Sequence, residues 1–146
     1  MDFDTSVKVE IYRATAAVGR VPLLADVARA LGEPLPRVRA AFTAIAAKRL
    51  LVLEPDGETI RMAPPFSGVP TQHRVHADGV QYFANCAWDA LAIPAALHRP
   101  AIVSSRCEQS HEPLRLAVGI DGPEPSSWLF HTEVPAARWW RDIVHT

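Results

Sequence analysis

Residues 50–62 read Leu50-Leu51-Val52-Leu53-Glu54-Pro55-Asp56-Gly57-Glu58-Thr59-Ile60-Arg61-Met62, two short apolar runs on either side of Pro-Asp-Gly. An Asp-Gly pair between two such runs is typical of a tight turn that joins antiparallel strands. The stretch therefore predicts a β-hairpin, and the residues on each side of it show what the hairpin is attached to.

Three helical segments precede the hairpin. Apolar residues recur at spacings of three and four in residues 7–18 and 22–31, and Gly19 and Gly32 are the stop signals of these helices. A third helix is predicted over residues 35–49, with Pro36 in its first turn, where proline is tolerated. Three helices followed by a two-stranded wing predict a winged helix-turn-helix lobe over residues 1–62.

DNA binding is the activity that such a lobe first suggests. The third helix carries Arg37, Arg39, Lys48 and Arg49, which could contact phosphates. However, residues 1–62 hold nine Lys and Arg against eight Asp and Glu, and the helix centre, residues 40–47, has no Asn, Gln or Arg to read base edges. DNA is therefore not the expected partner, and a winged-helix DNA-binding regulator remains the alternative function.

Composition places the chain among ordinary folded proteins. Its 146 residues are 49% apolar and 21% charged, with a net charge of −1. No apolar run approaches the roughly 18 residues of a membrane span, and the acidic N-terminus shows no signal peptide. Two cysteines are too few for a disulfide framework, so we expect free thiols, a cytoplasmic location and no membrane partner.

A second lobe is predicted after a proline-rich linker. Residues 63–70 contain three prolines and one glycine, which indicates a linker without helix or central strand. Residues 71–146 then predict a small mixed α/β lobe, so the whole chain is expected to be of the α+β class. Its predicted elements are strands at 71–76, 101–106, 114–120 and 128–134, a helix at 80–91 with Pro94 ending it, and a helix at 136–144.

Cys86 and Asp89 are the most informative pair of side chains in this lobe. Three positions apart on a helix, they would project from one face with their Cβ atoms about 5–6 Å apart. A thiolate binds soft electrophiles and soft metals, and a neighbouring carboxyl group can move a proton. The plainer alternative is a buried structural cysteine with an aspartate near a helix end.

Several motifs in the same lobe occur in an order that resembles the organomercurial (alkylmercury) lyase family over about residues 66–140. The winged-helix-like N-terminal lobe agrees with the domain order of that family. The motifs are Cys86-Ala87-Trp88-Asp89, Ile93-Pro94-Ala95, Val103-Ser104-Ser105-Arg106-Cys107, and the segment from Val134-Pro135-Ala136 to Trp140.

The resemblance implies an enzyme that cleaves a carbon–mercury bond by protonolysis. Cys86 would bind mercury as a thiolate, and Asp89 would relay a proton to the leaving carbon and contact the metal. The implied partners are a small organomercury substrate and cellular thiols that remove the Hg(II) product, with no bound cofactor. The residues expected to line the substrate pocket are Phe83, Trp88, Trp128 and His131.

The sequence departs from the family where a second reactive cysteine is expected, on a strand before the Val-Pro motif. Residues 125–131 contain no cysteine. Either a thiol beyond Thr146 supplies the second ligand, or its role passes to Cys107, to the hydroxyls of Ser126 and Ser127, or to His131. In the second case the activity is expected to be impaired or repurposed, because hydroxyls bind mercury poorly.

Two further possibilities concern metals. A thiol-based sensor could bind mercury or another soft metal through Cys86 and Cys107. A zinc site is not expected, because no C-x-x-C or H-E-x-x-H spacing is present, and His73 and His76 would face opposite sides of their strand.

Overall fold

The computed structural model describes residues 1–145, and its N-terminal part contains the three predicted helices. They are α1 (Phe3–Val18), α2 (Leu24–Leu31) and α3 (Leu35–Ala47). Helix α1 begins earlier than predicted because the Asp2 carboxylate accepts a hydrogen bond from the Thr5 amide at 2.8 Å and caps the helix. Gly19 and Gly32 follow α1 and α2 in the left-handed conformation, as their role as stop signals requires.

A small antiparallel sheet follows the helices. The predicted hairpin is present as β1 (Val52–Leu53) and β2 (Ile60–Ala63), and a third strand, β3 (Phe66–Ser67), pairs with β2. Residues 63–70, which the sequence predicted to contain neither helix nor central strand, thus supply the last residue of β2 and the edge strand β3. Phe66 is buried, and β3 lies at the sheet edge, where neighbouring prolines are tolerated. The division into lobes at this segment stays a prediction.

The C-terminal part is built on a five-stranded sheet in the order β5-β4-β6-β7-β8. All its pairings are antiparallel, and together with helix α4 they give the α+β class that the sequence predicted for the chain. One hydrophobic core lies among the N-terminal helices and the first sheet. Helix α4 packs on the five-stranded sheet and helps to enclose a second hydrophobic core. The elements are β4 (Arg74–Ala77), β5 (Val80–Phe83), α4 (Ala87–Leu97), β6 (Ala101–Arg106), β7 (Pro113–Gly119) and β8 (Gly122–Pro123).

The predicted helix at 80–91 is wrong in its first half. Val80–Phe83 is strand β5, and α4 begins only at Ala87. Asp78 and Gly79 both have positive φ, of 47° and 78°, and form a two-residue turn between β4 and β5. Pro94 does not end α4 but lies inside it, and the helix continues to Leu97.

The predicted strand at 128–134 is also wrong. These residues form no strand, and the sheet edge beside β7 is already occupied by β8. Leu129 is 93% exposed. The predicted helix at 136–144 is a short 3₁₀ helix, Ala136–Arg141.

Helix α1 joins the two cores. The Tyr12 side chain packs against both hydrophobic clusters, and its hydroxyl donates to the Pro64 carbonyl at 2.8 Å. From the other side, the Tyr82 hydroxyl donates to the Ala16 carbonyl at 2.7 Å. The end of α1 therefore lies directly on β5. Among residues 1–145, no helix has the length and apolar character needed to cross a membrane.

Candidate active site

Cys86 is the residue that caps the N-terminus of α4. Its backbone is extended (φ −150°, ψ 179°), and its Sγ accepts a hydrogen bond from the Asp89 amide at 3.5 Å. Asp89 is the third residue of the helix. The sulfur of Cys86 therefore contacts the Asp89 backbone through a helix cap, rather than pairing with it across one helix face. The pairing of the thiol with the carboxyl group stays a prediction.

Within residues 1–145, the Asp89 carboxylate has one hydrogen-bond partner. The Asn85 side-chain amide donates to Asp89 Oδ2 at 2.9 Å. The same Nδ2 lies 3.3 Å from the Phe66 carbonyl oxygen and 3.4 Å from that of Pro65. Residues 65 and 66 thus contact the amide that holds the carboxylate.

Burial favours the neutral forms of the ionisable groups here. Desolvation raises the pKa of Asp89, an effect that the Asn85 hydrogen bond partly offsets. Burial also raises the pKa of the Cys86 thiol, and the Asp89 charge adds to the increase. Tyr12, whose pKa is raised to about 12 by burial and by the Asp89 charge, borders the same site from α1. A carboxyl group in this setting is suited to hold a proton.

Cys107 lies outside this cluster, in the turn that follows β6. Its Sγ accepts a hydrogen bond from the Ser110 amide at 3.5 Å, and hydrogen bonds from Ser110 lower its pKa. Cys86 and Cys107 are both free thiols. Within residues 1–145, no group of three or more His, Cys, Asp or Glu side chains is arranged to hold a metal ion.

The four residues expected to line the pocket lie in different surroundings. Trp88 is 53% exposed, and its ring contacts that of Phe130 with centroids 5.4 Å apart. These two rings, with Thr132, Ala136 and Trp139, line a shallow cavity of about 330 Å³. Phe83 lines a separate cavity beside Gly19, and Trp128 and His131 are exposed. The assignment of these four residues to one substrate pocket stays a prediction.

His73 is buried, whereas His76 is exposed on the neighbouring strand. The His73 Nδ1 lies 2.6 Å from the Ser105 hydroxyl, and burial lowers the pKa of the ring. These contacts join β6 to the chain just before β4 and give His73 a packing role.

Two residues of the site were not singled out from the sequence. Asn85 precedes the thiol directly, and this adjacency was a weak local signal. Tyr12 lies far away in the sequence and reaches Asp89 only through the docking of α1 on the second lobe, so no local pattern could have indicated it.

Three of the four cations predicted for the third helix, all except Arg49, form ion pairs within the described residues. Arg37 pairs with Glu33 at 2.7 Å, and its guanidinium lies over the Phe3 ring at 4.1 Å. Arg39 pairs with Glu58 of the hairpin at 2.5 Å. Lys48 likewise pairs with Asp4 at 3.1 Å. These ion pairs reduce the positive potential that a DNA-reading helix would need.

The fold and the site together define an α+β protein in which a half-buried cysteine caps the helix that carries Asp89, and a thiolate is a ligand that soft metals prefer. The chain belongs to the alkylmercury lyase family, because the family model described as alkylmercury lyase matches residues 66–146.

Individual relatives agree with this assignment. The chain is 29% identical over 122 residues to the alkylmercury lyase of Bacillus cereus, which covers 82% of this chain and 54% of the relative. It is 30% identical over 113 residues to that of Staphylococcus epidermidis, covering 75% and 50%. It is 39% identical to that of Streptomyces lividans over 71 residues, covering 47% and 33%. The chain thus spans about half the length of the first two relatives and a third of the last.

A solved structure supports the fold. The crystal structure of the mercury-bound form of MerB2 matches with a TM-score of 0.63 at 24% sequence identity. The match covers 82% of this chain and 59% of the other. At this level of identity the comparison shows a shared fold.

Proposed function

We propose that this protein cleaves the carbon–mercury bond of a small organomercury compound by protonolysis. The observation that carries the proposal is the contact between Cys86 and Asp89 at the start of α4, in a chain of the alkylmercury lyase family. The thiol supplies a soft ligand for mercury, and the carboxyl group supplies the proton.

The first step is an exchange of thiolates on mercury. The substrate R–Hg–SR′ reacts with the Cys86 thiol to give Cys86–S–Hg–R, and the Cys86 proton leaves with the released thiol R′SH. Burial favours the protonated thiol before the reaction, so the transfer of this proton to the leaving thiol is part of the step. The Asp89 amide and the N-terminus of α4 stabilise the sulfur as it gains negative charge.

The second step breaks the carbon–mercury bond. The protonated Asp89 carboxyl gives its proton to the carbon attached to mercury, and the electron pair of the bond remains with that carbon. The products are the hydrocarbon R–H and a Hg(II) ion held by the Cys86 thiolate and the Asp89 carboxylate. Two external thiols then remove Hg(II), and the returned protons restore the Cys86 thiol and the Asp89 carboxyl. The raised pKa of Asp89 supports its role as the acid.

Cellular thiols take the position of the second protein cysteine in this scheme. Cys107 lies in another turn of the chain, and the hydroxyls of Ser126 and Ser127 are poor ligands for mercury. We therefore expect turnover to depend on the concentration of added thiol and to be impaired relative to an enzyme with two reactive cysteines.

The test is release of hydrocarbon from methylmercury or phenylmercury in excess thiol. We expect methane or benzene from the wild type, none from Cys86→Ser, and a strong decrease in Asp89→Asn. Cys107→Ser serves as the matched control and should keep most of the activity. Stoichiometric mercury binding without hydrocarbon release would rule out the lyase and favour a thiol-based sensor.

A further inference from the structure

The side chain of Asn85 connects three parts of the molecule at the candidate active site. Its Nδ2 group lies within hydrogen-bond distance of Asp89 Oδ2 on α4 and of the Pro65 and Phe66 carbonyl oxygens between the lobes. The contact with Asp89, at 2.9 Å, is the shortest of the three. Asn85 is thus a candidate for more than packing.

The orientation of this amide is fixed by its neighbours. All three oxygens are acceptors when Asp89 is ionised, so a rotation that exchanged Oδ1 and Nδ2 would bring an oxygen against them and lose the donor contacts. In the observed orientation, Oδ1 is buried and has no hydrogen-bond partner among residues 1–145. Tolerance of an unpaired buried acceptor indicates that the contacts of Nδ2 determine the orientation.

The two carboxylate oxygens of Asp89 are therefore not equivalent. Asn85 occupies Oδ2, whereas no protein donor in the described part of the chain reaches Oδ1. Building on the proposed function, we propose that Asn85 is a positioning residue that holds Asp89 by Oδ2, so that Oδ1 carries the proton to the carbon and then contacts mercury. The observation behind this proposal is that the Asn85 amide, oriented by the backbone carbonyls of residues 65–66, donates to one carboxyl oxygen of Asp89.

A purely structural role makes a different prediction. If Asn85 only attached residues 65–66 to the second lobe, its loss would weaken folding and would affect mercury binding and bond cleavage in parallel. A positioning role predicts that the loss of Asn85 slows bond cleavage and leaves mercury binding unchanged. Thiolate exchange at Cys86 depends on the sulfur and the Asp89 amide, and the Asn85 side chain hydrogen-bonds to neither of them. Protonolysis, in contrast, depends on the direction of the carboxyl group.

The kinetic test compares Asn85→Leu with Tyr82→Phe. Leucine has a similar size but no donor, whereas Tyr82→Phe removes a single hydrogen bond to Ala16 away from the carboxylate. In single turnovers with methylmercury, we expect Asn85→Leu to reduce the rate of methane release by about 10- to 100-fold while the affinity for methylmercury remains unchanged. Tyr82→Phe should change neither by more than about twofold. An unchanged rate in Asn85→Leu, or a parallel loss of rate and affinity, would overturn the positioning role.

A crystal structure of the wild type with Hg(II) bound tests the same inference without turnover and without a variant. We expect Oδ1 of Asp89 to face the metal while Asn85 still donates to Oδ2; an Asp89 that presents Oδ2 to mercury would refute it. If wild-type protein released no hydrocarbon but the mercury-bound structure showed this arrangement, the lyase reaction would fail while the positioning by Asn85 stood.

Discussion

Replacing Gly19 by alanine should disrupt the contact between helix α1 and strand β5. Gly19 ends α1 at φ 76°, and a Cβ atom there would lie 2.0 Å from the backbone carbonyl oxygen of Gln81 on β5. Gly32 ends α2 at φ 66°, but a Cβ there meets no heavy atom within 4 Å in the part of the chain that the structure describes. Gly32→Ala is therefore a control that shares the backbone strain and lacks the collision.

The expected losses of stability follow from two costs, the left-handed backbone conformation of an alanine and its collision with the strand. A left-handed alanine costs about 1 kcal/mol, and this is the whole expected loss for Gly32→Ala. Displacing a packed strand backbone adds about 1–3 kcal/mol, so Gly19→Ala should lose about 2–4 kcal/mol. At about 4 °C per kcal/mol for a chain of this size, the decreases in Tm are about 4 °C and about 8–16 °C.

Urea titration and thermal melts of the two variants measure this difference. Because the collision lies on β5, just before the segment that carries Asn85, Gly19→Ala should also decrease methane release, whereas Gly32→Ala should not. Equal losses of stability in the two variants would refute the contact between α1 and β5 as described.

Three further predictions concern the thiols, the acid and helix α3. Cys107, whose pKa is lowered, should react with iodoacetamide at pH 7.5 before Cys86, whose pKa is raised, as peptide mass spectrometry would show; faster alkylation of Cys86 would contradict this order. Burial favours protonated Asp89, so the wild type should lose stability relative to Asp89→Asn as pH rises from 3.8 through the raised pKa. A difference in urea midpoint between the wild type and Asp89→Asn that is the same at pH 4 and at pH 7 would argue against this. Because the cations of α3, such as Arg39 beside Glu58, are paired, duplex DNA should not bind in a gel-shift assay at low salt, and a salt-sensitive shift would reverse that view.

Two Asp-Gly pairs show which turns the local sequence determines. Asp56-Gly57 correctly predicted a hairpin. Asp78-Gly79 is the same signal, but the apolar residues that follow it were also compatible with a helix, and the helix was preferred. In the structure the turn starts strand β5, because Val80–Phe83 gains backbone partners on β4 that no local pattern reveals.

The candidate site shows the same division between local and distant information. Cys86 and Asp89 are three residues apart, so local spacing indicated that they lie close together, but the observed contact joins Cys86 Sγ to the Asp89 amide at a helix cap. Burial and the Asn85 amide shift the pKa of Asp89, and that amide in turn contacts the carbonyls of residues 65–66, while Tyr12 borders the site from α1. Those segments reach the site only through tertiary packing, which sequence spacing does not encode.

The most direct measurement of the proposed chemistry is the isotopic composition of the hydrocarbon released in D₂O. An exchangeable carboxyl group at Asp89 should transfer one deuteron to the leaving carbon, so methylmercury should give CH₃D with the wild type and no methane with Cys86→Ser. Methane without deuterium, or equal CH₃D release by the Cys86→Ser variant, would contradict protonolysis by this thiol and carboxyl pair.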